Sequence, residues 1–171
     1  MELEVPSERK SSADDYEMLA AGTYDAKCID AVYPIVKQYE KNPPRNTVMF
    51  IFEINQKRKK TDGSTDDSNY QVWSDNYTIS LHTKSKLKPL LQMWSGDGMD
   101  EGTRVNLEDF VGKSAKLTVV QLPKKKNPSE KRINIAACTP GDAEFDTDPE
   151  YERKDPEPFC DKVVETENEP F

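Results

Sequence analysis

From Gly22 onward the chain alternates. In GTYDAKCIDAVYPI, Tyr24, Ala26 and Cys28 fall on one side and Asp25, Lys27 and Ile29 on the other, the period of two that marks a half-buried strand. Pro34 and the polar stretch KQYEKNPPRN then predict a connection, since Pro43-Pro44 cannot pair regularly. NTVMFIFEINQ predicts the strongest strand, with Val48, Phe50, Phe52 and Ile54 on one face and Met49 and Ile51 on the other. A charged, turn-rich loop over residues 57–69, centred on Asp62-Gly63, leads to a third strand, YQVWSDNYTISL. The period then changes. Leu87, Leu90, Leu91 and Trp94 stand at i, i+3, i+4 and i+7, one face of a helix that Gly96 and Gly98 end and whose first turns hold Pro89. NLEDFVGK predicts a turn or short helix, SAKLTVVQL a fourth strand, PKKKNPSEK a basic loop and RINIAAC a fifth strand.

Three strands, a helix and two strands is the element order of the OB-fold, a five-stranded Greek-key barrel, although other five-stranded α+β domains give the same string. The expected fold is therefore mainly β. Residues 1–19 read as a flexible leader, with at best a short helix over Tyr16 to Ala21, and residues 20–140 as the domain. Beyond Thr139-Pro140-Gly141 no apolar periodicity survives, so residues 141–171 read as a disordered acidic tail.

Charge sharpens this division. The net charge of −8 is distributed unevenly: residues 141–171 carry 12 acidic and 3 basic side chains, and residues 1–20 carry 6 and 2. Residues 21–140 hold 14 acidic and 19 basic groups, so a basic body sits between acidic ends. No apolar run nears the ~20 residues of a membrane span, and MELEVPSERKSSADD lacks the features of a secretory signal, which predicts a cytoplasmic protein. Asn76-Tyr77-Thr78 is then an accidental sequon. Cys28, Cys138 and Cys160 are too widely spaced to suggest a disulfide framework or a zinc site.

Catalysis finds little support. The single histidine, His82, stands near a strand end, and no GxSxG, HExxH, Walker or GxGxxG motif occurs. Asp97, Asp100 and Glu101 in DGMDEG could hold Mg²⁺ for a small nuclease, but three carboxylates after a helix also make an ordinary solvated turn. The expectation is a protein that is not an enzyme and needs no metal or cofactor.

Positive charge is instead interleaved with aromatic rings. Lys37, Tyr39, Lys41 and Arg45 cluster in the first connection, and Lys57, Arg58, Lys59 and Lys60 in the second, followed by Tyr70, Trp73 and Tyr77. Lys84, Lys86 and Lys88 precede or open the helix, while Lys124, Lys125, Lys126, Lys131 and Arg132 surround the last hairpin. Single-stranded DNA presents phosphates and open base faces together, so its site needs cations for the backbone and rings for stacking. Lysine runs also serve solubility, and Phe50, Phe52 and Trp94 read as core. Trp73 and Tyr77 share a face with Gln71 and Asp75, which makes that face partly wet.

The chain ends ETENEPF. This terminus resembles the acidic, Pro-Phe-ending tip of bacterial single-stranded DNA-binding proteins, with Glu and Asn where that tip is mostly Asp. The body, from AGTYDAKCIDA through SKLKPLLQMWSGDG and NLEDFVGKSAKLTVV to INIAACTPGD, is similar to phage-encoded OB-fold proteins of the same kind. The resemblance implies sequence-tolerant binding of single-stranded DNA in replication, recombination or repair, in a phage-infected bacterial cell. It also implies Glu169, Pro170 and Phe171 as the end that recruits partner proteins. DPEPF, Asp155 to Phe159, echoes it in part. The acidic tail could also fold onto the basic body and compete with DNA. Two other readings stand beside this: an acidic mimic of DNA that blocks a host enzyme, and the small nuclease. The oligomeric state, monomer or dimer, is open.

Overall fold

The computed structural model describes residues 16–37, 43–82, 84–96, 98–99, 104–142 and 144–154, with the side chains of Ile35 and Lys37 outside that set. The protein is mainly β. One antiparallel sheet of six strands contains β1 (Gly22–Lys37), β2 (Arg45–Lys59), β3 (Thr65–Trp73), β4 (Tyr77–Thr78), β5 (Ser114–Pro123) and β6 (Lys131–Pro140). The order is β3-β2-β1-β5-β6, β4 pairs with β2 beyond the end of β3, and β3 also touches β6. One α-helix, α1 (Leu87–Ser95), and a short 3-10 helix, Leu107–Phe110, stand between β4 and β5.

Alternation along the strands builds the core. The pairs Ala26↔Ile54 and Cys28↔Phe52 point the same way, as do Phe52↔Val72 and Leu117↔Cys138, and all of these residues are buried. Helix α1 closes the interior with Leu87, Leu91 and Trp94. Gly96 ends the helix in the left-handed conformation, at φ 76°, and its N–H returns to the Gln92 carbonyl. Trp94 packs at 5.5 Å from Phe50, 5.1 Å from Phe52 and 4.8 Å from Phe110, ring centre to ring centre. Its indole N–H donates to the Ser114 carbonyl at 3.0 Å, so the one polar atom of this buried ring is satisfied.

Several boundaries differ from those the sequence predicts. The leader ends inside the fold: Tyr16 bridges to Lys60, Glu17 N–H donates to the Lys59 carbonyl, and Leu19 is buried, with no helix over residues 16–21. The loop expected over 57–69 is a tight hairpin, because β2 runs on to Lys59 and β3 begins at Thr65. β1 likewise continues past Pro34 to Lys37, through a register shift between Val32 and Ile35. The expected third strand is broken at Ser74. Ser74 donates its N–H to the Phe50 carbonyl at 2.8 Å and accepts the Phe50 N–H on Oγ at 2.8 Å, which ends β3 and re-aims the chain into β4.

Candidate nucleic-acid interface

The outer face of the sheet, opposite the core, carries Lys27, Asp30 and Val32 from β1, Met49, Ile51 and Glu53 from β2, and Gln71 and Trp73 from β3, as the register requires. Trp73 stands directly across from Ile51. It is 53% exposed, the only aromatic residue among those described that is exposed. Its neighbours on the same face, Gln71 apart, are not. Ile51 and Asp30 are fully buried and Glu53 is 2% exposed.

What covers them is the chain after β6. Residues 144–154, expected as part of a disordered tail, lie along this face and make defined contacts. Asp148 N–H donates to Glu53 Oε1 at 2.9 Å. Tyr151 hydroxyl donates to Asp30 Oδ2, Arg153 Nε to Asp30 Oδ1 and the Lys154 backbone N–H to Asp30 Oδ2, each at 2.9 Å. Ile51 lies between these anchors, which explains its burial on an outward position. At the other end of the strap Lys27 Nζ approaches the Phe145 ring to 5.8 Å. Gly141 makes the crossing possible: a Cβ there would come within 2.7 Å of the Ala115 backbone.

The strap alternates. Asp142, Glu144, Asp146, Asp148, Glu150 and Glu152 are exposed, while Phe145, Thr147 and Tyr151 are half-buried; a turn at the exposed Pro149 interrupts the period. This period of two was available in the sequence, but the run of acids that carries it reads as a solvated tail. The contacts also have the opposite charge sense from a tail folding onto a basic groove. The sheet supplies carboxylates, and the strap supplies a phenol, a guanidinium and two backbone N–H groups.

Arg153 joins this clip to the 3-10 helix. Its two terminal nitrogens donate to Glu108 Oε2 at 2.7 Å and Oε1 at 3.1 Å, a bidentate pair. Tyr33 donates to the same Glu108 at 2.7 Å. The Arg153 and Tyr33 hydrogen bonds hold the Glu108 carboxyl below its ordinary value, and the pairing with Glu108, then with Asp30, holds the Arg153 guanidinium above its own. Burial, followed by the bond to Asp30, pushes the Tyr151 phenol up.

The basic residues predicted as DNA contacts fall in several places. The registers Ala26↔Ile54 and Gly22↔Val119 put the β2–β3 and β5–β6 hairpins at one end of the sheet. Lys57, Lys59, Lys124, Lys125 and Lys126 are exposed there, with Lys60 half-buried. Lys57 Nζ donates to the Asp67 carbonyl, Lys59 pairs with Glu17 at 3.6 Å and Lys124 with Glu130 at 2.9 Å. Arg58 stacks 3.5 Å from the Tyr16 ring, and Arg132 reaches Asn134 at 3.5 Å. Arg45 begins β2 at the opposite end, and the exposed Lys84 and Lys86 precede α1. Tyr39, Lys41, the Lys37 side chain, and Glu169, Pro170 and Phe171 lie outside the described residues.

Two of the four aromatic residues predicted for the site have structural work. Tyr70 packs against the core, and its hydroxyl accepts the Lys59 N–H at 3.0 Å and donates to the Glu17 carbonyl at 2.9 Å. Tyr77 pairs with Val48 in β4 and packs against the core, because the break at Ser74 turns it away from the face of Trp73. His82 Nδ1 accepts the Lys84 backbone N–H at 3.3 Å.

Asp97, Asp100 and Glu101 are outside the described residues. Among those described, no three His, Cys, Asp or Glu side chains are placed to hold a metal ion, and no helix is long and apolar enough to cross a membrane. A cavity of about 240 Å³ beside Met99, Val105 and Phe110 is smaller than the ~300 Å³ at which small-molecule sites begin. Compared with protein-family models and with curated proteins, the chain matches none.

Proposed function

We propose that the chain is an OB-fold protein that binds single-stranded DNA with little sequence preference. The approach of β6 to β3 at the ends of the strand order supports a barrel of that kind over an open sheet. The observation that carries the binding reading is Trp73: a large ring left half open to water, on a face whose other apolar positions are covered, in a domain with two lysine-bearing hairpins. An exposed Trp brings no stability that would explain it, whereas base stacking on such a ring contributes ~1–3 kcal/mol. The hairpin lysines supply the phosphate-binding charge, and Glu169, Pro170 and Phe171 recruit replication or recombination partners. Competition with DNA falls to the acids beyond Lys154, residues 155–171. The protein acts without a metal or cofactor in this reading.

Titration with oligo-dT tests it. Trp fluorescence is quenched on binding, and affinity falls steeply with salt as lysine-bound counterions are exchanged. A chain that leaves the oligonucleotide unbound at low salt overturns the reading.

One observation favours a second reading. Five exposed carboxylates of the strap, with Asp142 just before it, present negative charge to solvent. Such a surface suits an acidic mimic of a nucleic-acid backbone, offered to the basic groove of a host DNA-binding protein. Capture of such a protein together with indifference of the chain to oligo-dT would favour it over the first.

A further inference from the structure

The strap and the exposed tryptophan meet at Lys154. Its Nζ lies 5.5 Å from the centre of the Trp73 ring, and the residue is exposed. Its position is not left to a flexible chain. The Lys154 backbone N–H is bonded to Asp30, and the preceding residue, Arg153, is bonded to Asp30, to Glu108 and to the Ala31 carbonyl at 3.3 Å. Asp30 is fully buried, and every side-chain hydrogen bond it makes among the described residues comes from Tyr151, Arg153 or Lys154. The strap both encloses Asp30 and supplies its donors, so seating it exchanges the water around this carboxylate for three hydrogen bonds, one of them from a guanidinium.

We infer that residues 144–154 are a fixed part of the binding domain, and that their clip on Asp30 seats Lys154 beside Trp73 to form a one-nucleotide subsite. A base takes the ammonium's place over the ring, and the ammonium holds the adjoining phosphate. This rests on the single-stranded DNA reading above and deepens it, because it places a binding cation outside the lysine-rich hairpins. Charge supports the assignment. Among the described residues Lys154 makes no ion pair, while the guanidinium next to it is shared between Asp30 and Glu108.

The test uses the full chain and oligo-dT across a salt series, with Lys154→Ala, Lys154→Arg and Arg153→Ala, alongside amide hydrogen exchange. Removing one phosphate contact should weaken binding several-fold and lower the slope of log affinity against log salt by about 0.7, with Lys154→Arg restoring most of both. Lys154 is exposed, so its replacement leaves folding intact and the comparison interpretable. Arg153→Ala should also weaken binding, and the Lys154 amide should exchange slowly in the wild-type chain. An unchanged affinity and salt slope for Lys154→Ala overturns the subsite while the DNA reading stands. Tighter binding by Arg153→Ala overturns it too, since the strap would then be a cover. A wild-type chain that binds no oligonucleotide overturns the DNA reading and the subsite together, and a protected Lys154 amide in that case still supports the clip.

Discussion

Arg153 Nε donates to Asp30 Oδ1 at 2.9 Å across 123 positions of sequence, joining the segment after the last strand to the middle of the first. Asp30 is fully enclosed at this contact, whereas the Arg153 side chain keeps 44% of its surface in water. Removing the arginine leaves a buried carboxylate with two of its three donors. Arg153→Ala should therefore cost about 1–3 kcal/mol, less than the ~3–5 of a fully enclosed pair because water can enter at the arginine's place. Denaturant unfolding measures it. A loss below ~0.5 kcal/mol, the range of an ordinary surface change, would show the strap to be loosely held.

Trp73 and Tyr77 should separate binding from stability. Trp73→Ala removes an exposed ring and should leave the unfolding midpoint nearly unchanged while costing about 1–3 kcal/mol in oligo-dT affinity. Tyr77→Ala empties a position packed against the core and should lower stability, with binding at a temperature where the variant is folded close to wild type. Equal losses of affinity in the two variants would mean that Trp73 has no special place in the site.

The contrast between these two residues shows what the sequence could reveal. Two rings four apart in one strand share a face, so the pattern grouped them. The turn at Ser74, locked by its paired bonds to Phe50, lies below the resolution of hydrophobic periodicity. The faces of β1 and β2 and the apolar stripe of α1 were legible because alternation and the i, i+3, i+4, i+7 spacing are long and uninterrupted there. The strap was not, for two reasons. Its net charge resembles that of a solvated tail, and its partners, Asp30, Glu53 and Glu108, are distant in sequence. Asp30 itself gives no local signal: in the alternating pattern it is one more polar residue, and only the register shift between Cys28 and Asp30 places it opposite Ile51.

Acid should loosen the strap through Glu108. Its carboxyl is held below the ordinary 4.5 by Arg153 first and Tyr33 second, so the folded state favours the ionised form. A lowered folded value stabilises fully above the unfolded one and is lost as pH falls through the folded one. The difference in melting midpoint between wild type and Glu108→Gln should thus be present at pH 6 and shrink progressively as pH falls below 4.5. A difference that stays constant as pH falls, with no decline below 4.5, would show that packing, and not the charge on Glu108, provides the stabilisation.

Thiol chemistry reports on the other side of the sheet. Cys28 and Cys138 are buried, and burial pushes both thiols from 9.0 up to about 12. Thiolate is the reactive form, so at pH 8 both should resist an aromatic disulfide reagent in the folded protein and react once it is unfolded in guanidinium. Cys160 lies outside the described residues, and a Cys160→Ser chain isolates the two of interest. The same shifts predict a stability change at alkaline pH: a raised value favours the folded state below 9.0, and that contribution is lost progressively as pH rises toward 12. Cys28→Ala should flatten part of this alkaline decline even though it lowers stability at pH 7 by emptying core volume. Rapid labelling of Cys28 at pH 8 in the folded chain would instead mean that β1 opens locally, and with it the strand from which Asp30 holds the strap.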